Sequence, residues 1–210
     1  MRRGHWLAVL AIAVFAALLV SGLHPHDRAT WFMEVAPILI VAPLLFLTYR
    51  RFPLSTLLYL LIALHAVILM VGGAYTYAHV PFGFWLQDVL GTTRNPYDKI
   101  GHFAQGFVPA LVVREILLRG EYLTSRAMTA FLAICVALAI SACYEMIEWW
   151  SALAMGQGAD EFLGTQGDMW DTQSDMFFAL IGAVVAMVVM TRLQDRQIAV
   201  LAKDMPTYSG

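Results

Sequence analysis

The chain has 210 residues, of which 60% are hydrophobic and only 13% are charged. A soluble globular domain usually carries about 25% charged residues, so this composition is that of a membrane protein. The formal net charge of −2 and the lack of a basic tract argue against nucleic acid as a partner.

Six segments of the sequence are candidates for membrane spans. A helix that crosses a bilayer needs about 20 mainly apolar residues. The candidates lie at residues 6–22, 32–48, 55–77, 100–118, 127–149 and 172–191. The first also resembles a secretory signal, but without a convincing cleavage site we interpret it as a retained helix. Glu34, Pro37 and Pro43 interrupt the second, where neighbouring helices would have to satisfy the freed backbone groups.

The connections between these segments are short, so we predict one integral-membrane domain over residues 1–210. The basic residues predict its orientation, because cytoplasmic loops carry an excess of Lys and Arg. With both termini in the cytoplasm, ten of the 13 Lys and Arg residues lie inside and three lie outside. The sequence thus predicts an all-α, polytopic bundle of about six transmembrane helices with both termini cytoplasmic.

Most of the acidic residues then fall on the outer side, although the orientation was set without them. Eleven of the 15 lie there, and two of these, Asp160 and Glu161, are expected in a solvated loop. The others include three polar stripes, each on one face of an otherwise apolar helix. The stripes are Asp98, His102 and Gln105 in the fourth span, Ser141, Glu145 and Glu148 in the fifth, and Asp168, Asp171 and Asp175 at the start of the sixth. We expect the stripes to face one another rather than lipid.

So many carboxylates cannot all stay ionised close together without a cation. Oxygen-rich sites suit Mg²⁺ or Mn²⁺, and a histidine shifts the preference towards Mn²⁺ or Zn²⁺. We therefore predict a divalent metal ion (Zn, Mn or Mg) as the cofactor, with Asp171 as a direct ligand. The candidate metal ligands are Asp98, His102, Glu145, Glu148, Asp168, Asp171 and Asp175. The candidate catalytic residues among them are His102, Glu145 and Asp175.

A plainer interpretation remains open, in which the stripes form a polar network for packing alone. Asp98 and Lys99 could form an interfacial ion pair. Asp171 and Asp175 could stabilise the start of a helix through its dipole.

The segments NPYDKIGHFAQGFVPALVVREIL, YEMIEWW and FLGTQGDMWDTQSDMFFALIGA closely resemble the YjdF-type family of bacterial inner-membrane proteins. The resemblance extends over nearly the whole chain and implies a multi-pass protein of the inner membrane, but no activity. Asp98, Lys99 and His102, and the step from Asp171 to Asp175, are also similar to the VanZ-like membrane proteins. Those are associated with glycopeptide-antibiotic tolerance, which implies a cell-envelope role. The GTQGDMWDT loop and the YEMIE segment depart from that pattern.

Three functions compete for this chain. The first is a metal-dependent hydrolase or transferase at the outer, periplasmic face, acting on a lipid-linked or phosphorylated envelope substrate. The second is a transporter or ion-coupled permease, and the third is a non-catalytic membrane partner protein. The ligand types favour the first, because an ion pathway would need acidic residues through the membrane depth. The inner halves of the spans offer little beyond His65, Arg114 and Glu115. The expected partners are the lipid bilayer and a possible lipid-linked substrate, and a homo-oligomer remains open.

Overall fold

The protein is a bundle of helices. A computed structural model describes residues 3–155 and 166–204, and these residues form eight helices and no strand. The helices are α1 (Arg3–Ser21), α2 (Arg28–Thr48), α3 (Thr56–Tyr75), α4 (Pro81–Leu90), α5 (Tyr97–Arg119), α6 (Arg126–Met155), α7 (Asp171–Val189) and α8 (Thr191–Asp204). The prediction of an all-α polytopic architecture is confirmed. The predicted solvated loop with Asp160 and Glu161 lies outside the described residues.

Five of the described helices, α1, α2, α3, α6 and α7, are long and apolar enough to cross a bilayer. Their outer surfaces carry large apolar side chains such as Ile12 and Phe46, which are 68% and 82% exposed. The predicted fourth span corresponds to α5, whose 23 residues extend about 35 Å. Helix α5 differs in composition from these five helices, because it carries charged residues near both of its ends. The orientation of the termini stays a prediction.

Helix α5 lies at the centre of the bundle and packs against α3, α6 and α7. A Cβ atom on Gly106 would lie 1.7 Å from the carbonyl oxygen of Ala179, and one on Gly182 would lie 2.0 Å from a carbonyl oxygen of α5. The two glycines therefore allow the backbones of α5 and α7 to touch, as small residues do in membrane bundles. This α5–α7 seam holds His102 and Asp175 side by side, because each lies one helical turn before the contact.

Helix α3 ends at Tyr75 in a turn that directs an aromatic ring back into the bundle. Thr76 and Tyr77 both have left-handed backbone conformations, with φ of 54° and 50°, which β-branched and bulky residues rarely adopt. The Tyr77 ring lies over Gly72 and Gly101, where a Cβ atom would be 2.3 Å and 2.9 Å from ring atoms. The turn therefore fixes Tyr77 against the start of α5. The contact is at Gly101, the residue immediately before His102.

Helices α4 and α8 lie outside the predicted spans, and α4 carries clear helix signals in its sequence. It starts with Pro81 in its first turn and ends at Gly91, whose φ of 65° is left-handed. Proline near the start and glycine after the end are signals for a helix, so the sequence contained the information.

Asn95 organises the connection from α4 to α5. Its side-chain nitrogen donates to the carbonyl oxygens of Ala78 and Val80 at 3.1 and 3.0 Å, and its side-chain oxygen accepts from the Tyr97 N–H at 3.0 Å. Its backbone also exchanges two hydrogen bonds with the Gln166 side chain, each of 3.1 Å. One buried amide thus joins the end of α3, the start of α5 and the segment before α7.

The two ends of α5 carry different charged clusters. We call the end with Asp98 the site end and the end with Arg114 the arginine end. At the arginine end, the fully buried Glu115 accepts from the Ser55 N–H at 2.7 Å and from Arg119 at 3.0 Å. Arg119 also donates to the carbonyl oxygen of Pro53 at 2.6 Å. Glu115 therefore ties the start of α3 to α5.

Arg114 makes the second set of contacts at the arginine end. It donates to Gln194 at 2.8 Å and to Asp195 at 2.7 Å, both on α8. Arg126 from the start of α6 also contacts Asp195. Burial raises the pKa of Asp195, but the hydrogen bonds from Arg114 and Arg126 outweigh it and hold that pKa below its usual value. These contacts attach α8 to the bundle.

Candidate metal centre

Asp98, His102 and Asp175 come together at the site end of the α5–α7 seam. His102 Nε2 lies 3.3 Å from Asp98 Oδ1 and 3.8 Å from Asp175 Oδ2. One potential ligand atom from each residue lies within 4.8 Å of the other two, which is the spacing of atoms that could share a metal ion. Among the described residues this is the one such group. We call these three residues the triad.

The hydrogen bonding of His102 supports a cation in the triad. Its Nδ1 lies 2.9 Å from Gln105 Oε1. With that oxygen as the acceptor, Nδ1 carries the proton, and the lone pair of Nε2 faces two carboxylates. This arrangement is repulsive unless a cation lies between them or Nε2 is protonated. Metal-binding histidines usually donate their other ring N–H to an oxygen in this way, so the residues present fit a divalent cation.

Two basic residues hold the other aspartates of the cluster. Lys99 Nζ lies 2.9 Å from Asp171 Oδ1 and also contacts Asp175. Arg94 lies 2.6 Å from Asp171 and 3.2 Å from Asp168. Burial lowers the pKa of Arg94, but the contact with Asp171 outweighs it, so the pKa is raised and Arg94 stays charged. Asp171 and Asp168 thus lie against cations, outside the triad, and the role of Asp171 as a direct ligand stays a prediction.

Helix α6 brings Glu145 to the Nδ1 side of His102. Glu145 is 6% exposed, and its Oε1 lies 3.8 Å from His102 Nδ1 without a hydrogen-bond partner. Ser141, one turn deeper on the same face of α6, is fully buried and its hydroxyl also lacks a partner. Glu148 is half-buried and lies near enough to Glu145 to repel it electrostatically. Neither glutamate belongs to the triad, and their roles as metal ligands stay predictions.

Glu34 joins the cluster from α2, which the sequence analysis did not anticipate. Its Oε2 accepts a hydrogen bond from the Tyr144 hydroxyl at 3.1 Å, and its carboxylate also hydrogen bonds to Tyr77. It interacts electrostatically with Asp98 and Glu148. The signal was the charge itself, because a carboxylate inside an apolar span needs a partner or a function. We had interpreted Glu34 as an interruption of the span.

A cavity of about 940 Å³ lies beside the cluster, between α4, α5 and α7. Its apolar wall includes Leu86, Leu90, Ile100, Phe103 and Phe178. Arg94, Lys99 and Gln166 line its polar part. Lys99 lines the cavity and also contacts Asp175 of the triad. The side chain of Lys99 therefore lies between the cavity and the triad.

Comparison with known proteins agrees with the location of the chain. Residues 6–196 match the family described as "Predicted membrane protein (DUF2238)". Inner membrane protein YjdF of Escherichia coli (strain K12) is 63% identical over 188 residues, which cover 90% of each chain. No solved structure matches the chain. With its apolar helices, the chain is a multi-pass protein of the inner membrane, and it belongs to the DUF2238 family.

Proposed function

We propose that the chain is a metal-dependent hydrolase or transferase that acts on a lipid-linked or phosphorylated substrate of the cell envelope. The observation that carries this proposal is the triad, in which Nε2 of His102 faces the carboxylates of Asp98 and Asp175. A divalent cation bound there would activate a water molecule or polarise a phosphoryl oxygen.

The side chains around the triad have complementary roles in this proposal. Asp98, Asp175 and His102 Nε2 hold the cation. Gln105 lies at hydrogen-bond distance from Nδ1 of His102 and fixes the orientation of its ring, and Glu145 lies on the same side. Glu145, one oxygen of which has no partner, would accept a proton from a reacting water.

Elemental analysis of detergent-purified protein tests the proposal. After exposure to Zn²⁺, Mn²⁺ and Mg²⁺ and desalting, we expect about one tightly held ion per chain in the wild type. Asp175→Asn should lose this ion while keeping its fold, measured by circular dichroism. Asp88→Asn, which changes an exposed carboxylate on α4, is the matched control and should retain the ion. Asp171→Asn tests direct ligation at that position. Equal trace metal in the wild type and Asp175→Asn would contradict the proposal.

A second candidate function is a non-catalytic membrane partner protein with a closed polar network. It is favoured by the three aspartates around Lys99, which lies 3.6 Å from Asp98 in addition to its contacts with Asp171 and Asp175. A protonated His102 would complete such a network without any metal. The same metal analysis separates the two candidates. A transporter has less support, because the buried layer below the seam consists of Ala110, Ala137 and Ala183.

We also propose that the site end faces the periplasm, as the distribution of basic residues predicts. Reporter fusions at Thr92 should be periplasmic and fusions at Gly120 cytoplasmic. The reverse result would place the triad on the cytoplasmic side and exclude a periplasmic substrate.

A further inference from the structure

The cavity between α4, α5 and α7 changes from polar to apolar along its length. Thr92, Thr93 and Asp168 line one end, and all three lie in the segments that precede α5 and α7. Phe103 and Phe178 line the other end, about two helical turns or about 10 Å inside these helices. Because α7 is a membrane span, the polar end lies at the membrane surface and the apolar end lies in the hydrocarbon region.

Helix α4 forms one wall of this cavity and has the features of a helix that lies in the membrane interface. Its ten residues extend about 15 Å, about half the thickness of the hydrocarbon core, so it does not cross the bilayer. Phe82, Trp85 and Val89 share one face of α4 and are all more than half exposed, which suits contact with lipid. An adjacent face carries Leu86 and Leu90, which line the cavity. Leu90 is also 62% exposed, so the cavity reaches the surface of the protein beside α4.

The size and the polarity of the cavity match a single-chain lipid. Its volume of about 940 Å³ lies at the upper end of the range for ligand pockets, which is about 300–1,000 Å³. A lipid in the leaflet at the site end has its head group at the membrane surface and its chain in the hydrocarbon region. The cavity has the same order of polar and apolar surface at the same depths. A lipid can therefore enter past Leu90 without turning over.

Lys99 lines the cavity, but its charge is engaged inside the protein. Its Nζ contacts Asp98, Asp171 and Asp175, which is one carboxylate for each N–H donor of the ammonium group. Lys99 therefore presents its hydrocarbon stem to the cavity, as long basic side chains do beside apolar surface. A phosphate in the cavity would have to take Nζ away from these aspartates.

The polar end of the cavity favours a head group of hydroxyls over an anion. Arg94 lies 2.6 Å from Asp171 and 3.2 Å from Asp168, so a phosphate could bind Arg94 only in competition with these aspartates. The Asp168 carboxylate lines the same end, where it would repel an anion but accept a hydrogen bond from a hydroxyl. The exposed Thr92 and Thr93 side chains also offer hydroxyl groups to such a head group.

We infer that this cavity binds a neutral lipid with a hydroxyl head group, that is, a monoacylglycerol-type amphiphile from the leaflet at the site end. The chain lies between α4, α5 and α7, against Phe103 and Phe178, and the hydroxyls lie beside Thr93 and Asp168. This lipid site goes beyond the proposed function, because it does not require a metal ion in the triad.

Photo-crosslinking of the full chain in phosphatidylcholine nanodiscs tests the inference. The probe is a monoacylglycerol with a diazirine in its acyl chain, and its attachment sites are mapped by mass spectrometry. We expect labelling of α5 around Ile100 and Phe103, and a tenfold excess of unlabelled monoacylglycerol should reduce it about tenfold. Labelling of Phe46, which is 82% exposed on the outer surface of α2, should not respond to this competitor. Labelling around Ile100 and Phe103 that also fails to respond would overturn the inference.

Two neighbouring residues of α4 provide matched variants. Leu90→Trp adds a ring at the lining of the cavity and should abolish the labelling that the competitor displaces. Val89→Trp is the control and should keep it, because Val89 is as exposed as Leu90, at 61%, but does not line the cavity. Thr93→Trp, at the polar end, covers the case in which Leu90→Trp fails to fold, as judged by circular dichroism. Displaceable labelling that persists in both Leu90→Trp and Thr93→Trp, or that is lost equally in Val89→Trp, would overturn the assignment to this cavity.

A second probe tests the head group separately. Lysophosphatidic acid with the same chain and the same diazirine adds a phosphate to the head group. We expect it to label the cavity about tenfold less, because its phosphate must compete with aspartates for Arg94 and meets the Asp168 carboxylate. Asp168→Asn should narrow this difference. Labelling by lysophosphatidic acid that equals or exceeds that by the monoacylglycerol would overturn the assignment of a neutral head group.

Discussion

The site end and the arginine end of α5 both bury charged residues, but they neutralise them differently. At the arginine end, Glu115 is matched by Arg119 and a backbone N–H, and Asp195 is matched by two arginines. At the site end, the carboxylates outnumber the basic residues that contact them. One carboxylate oxygen lacks a partner at each end, on Glu115 and on Glu145, so the ends differ in charge balance and not in that respect. The same residue types therefore form a balanced ion-pair cluster at one end and a cluster with excess negative charge at the other.

The difference shows how buried charge can be interpreted in a membrane protein. A cluster whose donors and acceptors are matched is explained by the fold alone, because each charge stabilises a contact between helices. A cluster with unmatched carboxylates is explained only if protons or a cation neutralise them. The comparison predicts that equivalent substitutions at the two ends have opposite effects on stability.

Gly106→Ala should have the largest effect, because it affects the α5–α7 seam on which both clusters depend. The new Cβ atom would overlap a backbone oxygen of Ala179, so the helices would have to separate. We expect a loss of about 3 kcal/mol or more, seen as a lower yield of monodisperse protein in detergent. Gly4→Ala is the control, because nothing lies within 4 Å of a Cβ atom there. Equal yields from the two variants would show that the seam tolerates displacement.

Glu115→Gln should destabilise the protein by about 2 kcal/mol, because it removes the ion pair with Arg119 and weakens the hydrogen bond from Ser55. The thermal unfolding midpoint in detergent measures this loss. Metal content should not change, since the arginine end is distant from the triad. A loss of metal in this variant would mean that the two ends are coupled.

When metal is removed with EDTA, Glu145→Gln should stabilise the protein, whereas Glu115→Gln destabilises it. The substitution keeps the shape of the side chain and removes a buried charge that His102 attracts but that Asp98, Asp171 and Glu148 repel. We expect metal-free protein to gain about 1 kcal/mol of stability. Thermal unfolding of the wild type and the variant, with and without EDTA, measures it. Destabilisation as large as that of Glu115→Gln would show that the site end is also a balanced network.

Asp195→Asn should have the smallest effect, and one that depends on pH. The pKa of Asp195 is lowered in the folded protein below its usual value of 3.8. Its stabilisation is therefore complete above about pH 4 and declines as the pH falls through the folded-state pKa. We expect the variant to be about 0.5 kcal/mol less stable than the wild type at pH 7, because the side chain is partly exposed. The unfolding midpoints of the two proteins should converge below pH 3, and a constant difference would assign the effect to packing.

The sequence predicted the helical architecture well, because span length and hydropathy are set by the bilayer. Each span starts or ends within a few residues of a helix terminus, and the largest difference is in α6, which continues to Met155. The polar stripes were also identified from helical spacing, and that spacing places Asp98 and His102 together on α5. Spacing along one helix does not predict the distance between two helices.

That distance decides which members of the stripes meet. The approach of α5 to α7 depends on Gly106 and Gly182. The pairing of Asp171 with Arg94 and Lys99, rather than with the triad, depends on the connection organised by Asn95. Glu34 was missed as a member of the cluster because its partners, Tyr77 and Tyr144, are distant in sequence and become neighbours only in the folded bundle.

The charges on α5 also have a consequence for how the protein enters the membrane. Charged side chains oppose insertion of a helix, by about 2.5–3.5 kcal/mol each at its centre and by less near its ends, and among the described helices of span length α5 alone did not qualify as a span by composition. Two of its charges have partners that appear much later in synthesis, since Lys99 pairs 72 residues ahead and Arg114 pairs 81 residues ahead. We therefore expect stable integration of α5 to depend on α7 and α8, because a chain truncated after α6 would lack these partners of Lys99 and Arg114.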